Sequence, residues 1–262
     1  MVLWLPVDPV RMGNRNMCRT RRMPLGGNHD GNAEADGKAG LTTMRHEIEI
    51  LPTPEAVARS AAGYVAERAR AAVTRHGRFT FAVSGGHTPW AMFGRLAEED
   101  MPWERVVLYQ VDERIAPAGD PDRNLRHLRE SLGEASAEVI EMPVSDPDPT
   151  GAAARYGARL PKRFDLVHLG LGPDGHTASL VPGDPVLDVT DHLAAITGTY
   201  QGRHRMTLTY PALARADQIL WLVTGADKKA PLAKLLACDR SIPAGRVQAP
   251  HSLVLADGAA SV

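Results

Sequence analysis

The sequence predicts an α/β fold: a mostly parallel sheet with helices on both faces. Three observations predict it. Short continuous apolar runs alternate with segments that carry apolar residues at helical spacing, the pattern of buried strands joined by crossover helices. Three of these runs end in glycine-rich or charged segments, as the ligand-bearing strand ends of such sheets do. The chain of 262 residues is long enough to bury roughly 70% or more of its unfolded surface, so its core needs no disulfide or metal.

Residues 1–44 stand apart from the rest. The apolar stretch Val2–Val7 contains Pro6, stops at Asp8, is too short for a signal-peptide apolar region and has no basic segment before it. The cluster Arg19, Arg21 and Arg22 is not followed by an apolar region, so a twin-arginine signal is set aside. From Gly26 to Gly40 the composition is dominated by Gly, Asn and Asp, which favours disorder. The expectation is a disordered extension over residues 1–44, lying outside a natural start at Met44, followed by a single α/β domain over 45–262.

Within the domain, Thr53-Pro54-Glu55 is a helix start: a Thr cap, Pro in the first position and an acid in the first turn. Val57, Ala61, Tyr64, Val65, Ala69, Ala72 and Val73 continue at helical spacing until Gly77. Phe79–Val83 is a buried strand running into Ser84-Gly85-Gly86, with a helix after it. Val106–Val111 is a second strand, ending in Asp112-Glu113-Arg114. Asn124–Leu132 and Gly151–Leu160 read as helices. Phe164–Leu169 is a third strand, ending in Gly170–Gly175. Met206–Thr209 and Ile219–Val223 are further strands, Ala230–Ala237 a helix, and Ser252–Leu255 the last strand. In a parallel sheet, ligands bind beyond the carboxyl ends of the strands, so the segments Ser84–Pro89, Asp112–Arg114 and Gly170–Thr177 gather on one rim.

Composition narrows the function. Lys and Arg number 30 against 31 for Asp and Glu, a formal net charge of -1, which argues against nucleic acid or a membrane surface as partner. Two cysteines, Cys18 and Cys238, exclude a disulfide framework and a Cys-rich zinc module. No apolar run approaches the roughly 20 residues that span a bilayer. There is neither a P-loop, nor a dinucleotide fingerprint, nor a Gly-x-Ser-x-Gly elbow.

The rim segments carry the chemistry. In Ser84-Gly85-Gly86-His87-Thr88-Pro89, adjacent glycines let backbone N–H groups turn toward a ligand at a helix start, which suits a phosphate, and the Ser84 and Thr88 hydroxyls add donors. A ligand-free tight turn is an equal reading of that segment alone. In Asp112-Glu113-Arg114 the planar fork of Arg114 can hold two oxygens of an oxyanion while an acid orients it; alone, the segment reads as a solvated loop. In Gly170-Leu171-Gly172-Pro173-Asp174-Gly175-His176-Thr177, one turn can bring Asp174 and His176 to the same pocket. An imidazole is a competent base at neutral pH, and a neighbouring carboxylate fixes its tautomer. The other histidines are scattered, which disfavours a metal site. Arg205 and Lys228, each an ordinary surface cation by itself, would together complete a cationic pocket on the rim. His87, His127, His168 and His251 read as structural or surface residues.

Taken in order, the segments Phe79–Pro89, Val111–Pro117, Asp122–Leu132, Leu169–Pro185, Arg205–Leu213 and Leu222–Lys229 resemble the 6-phosphogluconolactonase family, which shares its Rossmann-like fold with glucosamine-6-phosphate deaminases. The resemblance spans about residues 46–257, and the Gly-x-Asp-Gly-His-Thr-Ala-Ser-Leu piece is its most specific part. It implies hydrolysis of 6-phospho-D-glucono-1,5-lactone in the oxidative pentose phosphate pathway, with no metal or organic cofactor. It implies His176 as general base with Asp174 beside it. Ser84, Gly85, Gly86, Arg114, Arg205 and Lys228 would hold the phosphate or sugar, with Thr88 and Asp112 completing the candidate set. The expected partner is the small-molecule lactone, and the chain is expected to be cytoplasmic and a monomer or small homo-oligomer. Three features depart from the family pattern: His87 stands where Ser is frequent, residues 1–44 have no counterpart, and Leu253 lies near the place of a frequent Trp.

Two rival readings differ from this one at identifiable residues. A deaminase resembling these enzymes carries an acid five residues past the shared His, where this chain has Val181, and often an aromatic residue in the place of Arg114. A non-catalytic sugar-phosphate sensor would keep the phosphate grip and lose the base, which is present here as His176.

Overall fold

The computed structural model of the protein describes residues 18–19, 43–44 and 46–261. Apart from two short strands, β1 (Cys18–Arg19) and β2 (Thr43–Met44), which pair antiparallel, the extension expected over residues 1–44 lies outside the described residues. The domain then runs β3 (His46–Leu51), α1 (Pro54–His76), β4 (Phe79–Val83), α2 (His87–Leu96), β5 (Val106–Gln110), β6 (Asp112–Arg114) and α3 (Asn124–Leu132). It continues with β7 (Glu138–Ile140), α4 (Pro149–Arg159), β8 (Leu166–Gly170), β9 (Ala194–Ile196), β10 (Arg205–Leu208) and α5 (Tyr210–Leu213). It closes with β11 (Gln218–Val223), α6 (Lys229–Leu236) and β12 (His251–Asp257).

Seven strands form one sheet in the order β3-β12-β11-β8-β4-β5-β7, and every pairing within it is parallel. Alternation along the strands divides the core into two layers. Phe79, Phe81, Val83, Leu166, Leu220 and Leu222 pack with apolar residues of α1, α2 and α3. Ala82, Val167, Leu169 and Trp221 point the other way, into a layer shared with Tyr156 of α4 and Leu232 of α6. Helices thus cover both faces, as the continuous apolar strands require. Among the described residues, no helix is long and apolar enough to cross a membrane.

Local signals act where they were read. The Thr53 hydroxyl accepts the Ala56 N–H at 3.2 Å, and Gly77 ends α1 in the left-handed region at φ 84°. The fourth helix starts earlier than Gly151, at Pro149, because Asp148 caps it by accepting the Gly151 N–H at 3.0 Å. Two differences are larger. Strand β3 was not read from the sequence: it is an edge strand whose HEIEIL pattern mixes charged and apolar positions, with no continuous apolar run. Strand β10 is not in the parallel sheet at all. It pairs antiparallel with β6 on one side and β9 on the other, forming a separate three-stranded sheet. Asp112-Glu113-Arg114 is therefore a strand and not a solvated loop: Arg114 lies opposite Arg205, and Asp112 opposite Thr207.

Candidate active site

A cleft of about 250 Å³ opens beyond the carboxyl ends of β4, β5 and β8, where the antiparallel sheet leans over the rim. The cleft is lined by Ser84, Gly85 and Gly86 after β4, and by Asp112 and Arg114 after β5. His176 enters from the segment after β8, Arg205 from β10 and Lys228 from the turn after β11. Two of the expected residues do not line it. Thr88 is turned to Thr224, with 2.7 Å between the hydroxyls. Asp174 stands behind His176. His87 is exposed in the first turn of α2 and is not part of the lining, so the departure at that position does not reach the cleft.

The imidazole of His176 is held from one side. Its Nδ1 lies 2.6 Å from Asp174 Oδ1, which also accepts the His176 backbone N–H at 3.0 Å. Because a carboxylate accepts, the Nδ1–H donates to Asp174, and Nε2 is the ring nitrogen left without that partner. Burial pushes the Asp174 carboxyl up. The backbone and ring hydrogen bonds from His176, with its charge, outweigh that and hold Asp174 below the usual carboxylate range. Gly172 makes the arrangement possible: a Cβ there would sit 2.0 Å from His176 Nδ1. The Gly172 N–H donates to the His176 carbonyl at 2.8 Å, closing the turn around the ring.

The turn after β4 lines the same cleft, on the strand next to β8. Ser84 lines it, yet both of its donors are engaged within the protein. Its N–H donates to His168 Nδ1 at 3.3 Å and its hydroxyl to the His168 carbonyl at 3.2 Å. His168 is fully buried, and burial lowers its pKa to about 3, so it is a neutral support beneath the turn. The backbone groups left for an anion in this turn are those of Gly85 and Gly86 at the positive end of α2. Gly85 is needed for close approach, since a Cβ there would lie 2.1 Å from Asn124 Oδ1.

Asn124 was not singled out in the sequence, and Glu113 only as one of two acids beside Arg114. Asn124 accepts from the Arg114 guanidinium and donates to the Asp112 carbonyl at 3.1 Å, so it fixes Arg114 at the cleft wall. The fully buried Glu113 carboxylate accepts the backbone N–H groups of Arg114, Asn124 and Leu125, each at 2.8 Å, and Gln110 Nε2 at 2.9 Å. It thereby satisfies the first turn of α3 and locks β6 to it. Asp112 is also buried. It accepts from the Ser179 hydroxyl at 2.6 Å and lies 3.9 Å from Arg205 Nη1. Burial lowers the Arg205 pKa, opposed by the Asp112 charge.

The hairpin joining β9 to β10 brings two more lining residues, Tyr200 and Gln201. Gln201 Oε1 accepts from Arg205 Nη2 at 3.0 Å. Neither residue was singled out in the sequence, where Gly202 was the one local sign of a tight turn between antiparallel strands. Beside the end of β8, in the turn after β11, Lys228 Nζ lies 2.7 Å from Asp227 Oδ2, and the turn is anchored by Asp257, which accepts the Gly225 N–H at 3.1 Å. No group of three or more His, Cys, Asp or Glu able to hold a metal occurs among the described residues.

Residues 52–256 match the model of the glucosamine-6-phosphate isomerases/6-phosphogluconolactonase family. A 6-phosphogluconolactonase of Synechocystis sp. is 32% identical over 228 residues, covering 80% of this chain and 95% of that protein. One of Caulobacter vibrioides is 36% identical over 219 residues, 74% of this chain and 94% of that protein. Among solved structures, 6-phosphogluconolactonase from Thermotoga maritima aligns with a TM-score of 0.74 at 26% identity, over 81% of this chain and 100% of that one.

Proposed function

The chain belongs to the glucosamine-6-phosphate isomerase/6-phosphogluconolactonase family, and from that premise we propose that it hydrolyses 6-phospho-D-glucono-1,5-lactone to 6-phospho-D-gluconate, with His176 as general base. The pathway this assigns it to is the oxidative pentose phosphate pathway, in the cytoplasm. The observation that carries the reading is His176, backed by Asp174 at 2.6 Å, lining the same cleft as Gly85, Arg205 and Lys228. A base and an anion grip separated by one small cleft suit a substrate whose reacting carbonyl and phosphate lie at opposite ends of one sugar.

In this mechanism His176 Nε2 takes a proton from a water as the water oxygen attacks the lactone carbonyl carbon. Asp174 keeps the proton on Nδ1 and stabilises the imidazolium that forms. The carbonyl oxygen gains negative charge, and Arg114, held by Asn124, is the cation assigned to it. When the bond from the carbonyl carbon to the ring oxygen breaks, the imidazolium returns its proton to that oxygen, leaving a hydroxyl and a carboxylic acid. The phosphate does not react. Gly85, Gly86, Arg205 and Lys228 hold it, and that binding orients the carbonyl toward the water. Deaminase chemistry needs a second proton carrier, and the aliphatic Val181 offers none.

Acid release from freshly made 6-phosphogluconolactone, with glucosamine 6-phosphate as control substrate, tests the reading. Lactone turnover by the chain is expected, and His176→Ala should lower kcat at least about 100-fold, the lower end for a lost general base. Ammonia release from glucosamine 6-phosphate without lactone turnover would defeat the assignment. Near-full turnover by His176→Ala would remove the imidazole from the mechanism.

A further inference from the structure

We propose that Tyr200 is a positioning residue for this reaction, its ring fixing the imidazole of His176 and the guanidinium of Arg205 relative to one another. The inference rests on the lactonase reading and names the residue that sets the distance between base and anion grip.

One ring touches both groups. The Tyr200 ring meets the His176 imidazole at a steep angle of 65°, with centroids 5.4 Å apart. The Arg205 guanidinium carbon lies over the same ring, 5.0 Å from its centroid. A steep edge contact and a cation over a ring face are both attractive, so each group has a preferred place on Tyr200. The hydrogen bond from Nδ1 to Asp174 leaves the imidazole free to swing about that bond. A second ring set against it removes the swing.

The hairpin that presents Tyr200 is built to be stiff. Tyr200 and Arg203 exchange backbone hydrogen bonds of 2.9 and 3.2 Å around Gln201 and Gly202, whose φ values are 50° and 78°. Positive φ at both central residues makes this a tight two-residue turn with the twist that suits a hairpin. A non-glycine residue at positive φ is a strained choice, retained where surrounding structure over-determines it. Here the Gln201 side chain binds Arg205. Arg203 pins the tip to the loop before α3 through Asp120 at 3.0 Å and Asp122 at 3.3 Å. The Ile115 N–H donates to the His204 carbonyl at 3.0 Å, tying the hairpin to the end of β6. Tyr200 is only partly buried and belongs to neither core layer, so hydrophobic packing of the domain does not account for an aromatic residue there.

The test compares Tyr200→Ala and Tyr200→Phe in the full chain, by lactone hydrolysis, by 6-phosphogluconate binding, and by the proton NMR shift of the His176 ring. Tyr200→Ala is expected to lower kcat about tenfold, equivalent to about 1.4 kcal/mol, and to weaken 6-phosphogluconate binding as Arg205 loosens. The ring-current shift at His176 should vanish with it. Tyr200→Phe keeps both ring contacts and should rescue the rate to within about twofold, with the shift retained. A kcat for Tyr200→Ala within about twofold of wild type overturns the proposal. So does a Tyr200→Phe defect as large as that of Tyr200→Ala, which would transfer the role from the ring to the hydroxyl. If the wild-type chain fails to turn over the lactone, the reaction reading falls, and the NMR comparison still reports whether Tyr200 holds the imidazole.

Discussion

Gly172→Ala is the sharpest available perturbation of the proposed base, because it displaces the imidazole without touching the residue that bears it. A Cβ on Gly172 would stand 2.0 Å from Nδ1, 2.2 Å from Cε1 and 2.7 Å from Cγ of His176. Unbonded heavy atoms settle at about 3.5–4.0 Å, so the ring must retreat by more than about 1 Å. Nδ1 is the atom nearest the added Cβ and also the atom bonded to Asp174 Oδ1 at 2.6 Å, so the retreat disturbs that bond. A misplacement of about 1 Å costs on the order of 100-fold in rate. The backbone offers no competing explanation, because Gly172 is not among the residues at positive φ and alanine can adopt its conformation. The anion grip lies on other segments. The expected result is therefore a kcat lower by about 100-fold with 6-phosphogluconate affinity within about threefold of wild type. In a His176→Ala background the clash has no partner, so adding Gly172→Ala should cost nothing more, a non-additivity diagnostic of direct contact. Hydrolysis assays on the four proteins of this cycle, with calorimetric titration of 6-phosphogluconate, measure it. A Gly172→Ala enzyme within about threefold of wild type, or losses that simply add, would refute the geometry from which the rate was worked.

Two further outcomes follow from the same structure. Lys228→Ala should raise KM for the lactone about tenfold or more with little change in kcat, because a phosphate contact acts in ground and transition states alike; steady-state kinetics with a kcat loss exceeding the KM rise would move Lys228 to the reacting end. Stability should fall on mild acidification, because burial lowers the His168 pKa to about 3 and the His46 pKa to about 4. Unfolded imidazoles take up protons as pH drops through about 6.5 while these two stay neutral, so their contribution is complete above that pH and declines below it toward about 4. Between roughly pH 6.5 and 5 ordinary carboxylates remain ionised, so a thermal midpoint that falls in that window, less steeply in His168→Asn, is expected, and a flat profile would contradict it.

How much of this was readable depends on the range of the interactions involved. The Thr53 cap, the Gly77 stop and the apolar run Phe79–Val83 were legible because each is settled by neighbours in the chain. So was the pairing of Asp174 with His176, two residues apart across one glycine. The antiparallel sheet was not legible as such. Its central strand β10 was read as one more strand of an alternating chain, and its partner β6 as a charged end to β5, because the register joining Arg114 to Arg205 is long-range. Glu113 illustrates the same limit. An acid between an acid and an arginine reads as solvated. What makes it a buried carboxylate is the start of α3 arriving with N–H donors from Asn124 and Leu125. Ser84 was read as a phosphate donor from its turn, but the buried His168 that takes both of its donors lies 84 residues away in sequence.

The two sheets divide the labour. The parallel sheet contributes the ends of β4, β8 and β11, which carry the glycine turn, His176 and Lys228. Strand ends of one sheet are spaced by its ladder and cannot by themselves face one another across a cleft. The antiparallel sheet supplies the opposing wall, with Arg114 on β6 and Arg205 on β10. A wall of this kind must be joined firmly to the rim, since on the proposed mechanism a shift of about 1 Å between His176 and the arginines would cost near 100-fold. Asp112 and Glu113 perform that joining. Through Ser179 Oγ, 2.6 Å from its carboxylate, Asp112 ties the wall to the segment that carries His176, three residues away in the chain. Through Asn124 and Leu125, Glu113 ties it to α3. Two buried acids placed next to an arginine in one short strand are costly unless every acceptor is used. Here each accepts from neighbours on both sides of the joint, so the groups that face the substrate are fixed before it arrives, and binding energy need not be diverted to arranging them.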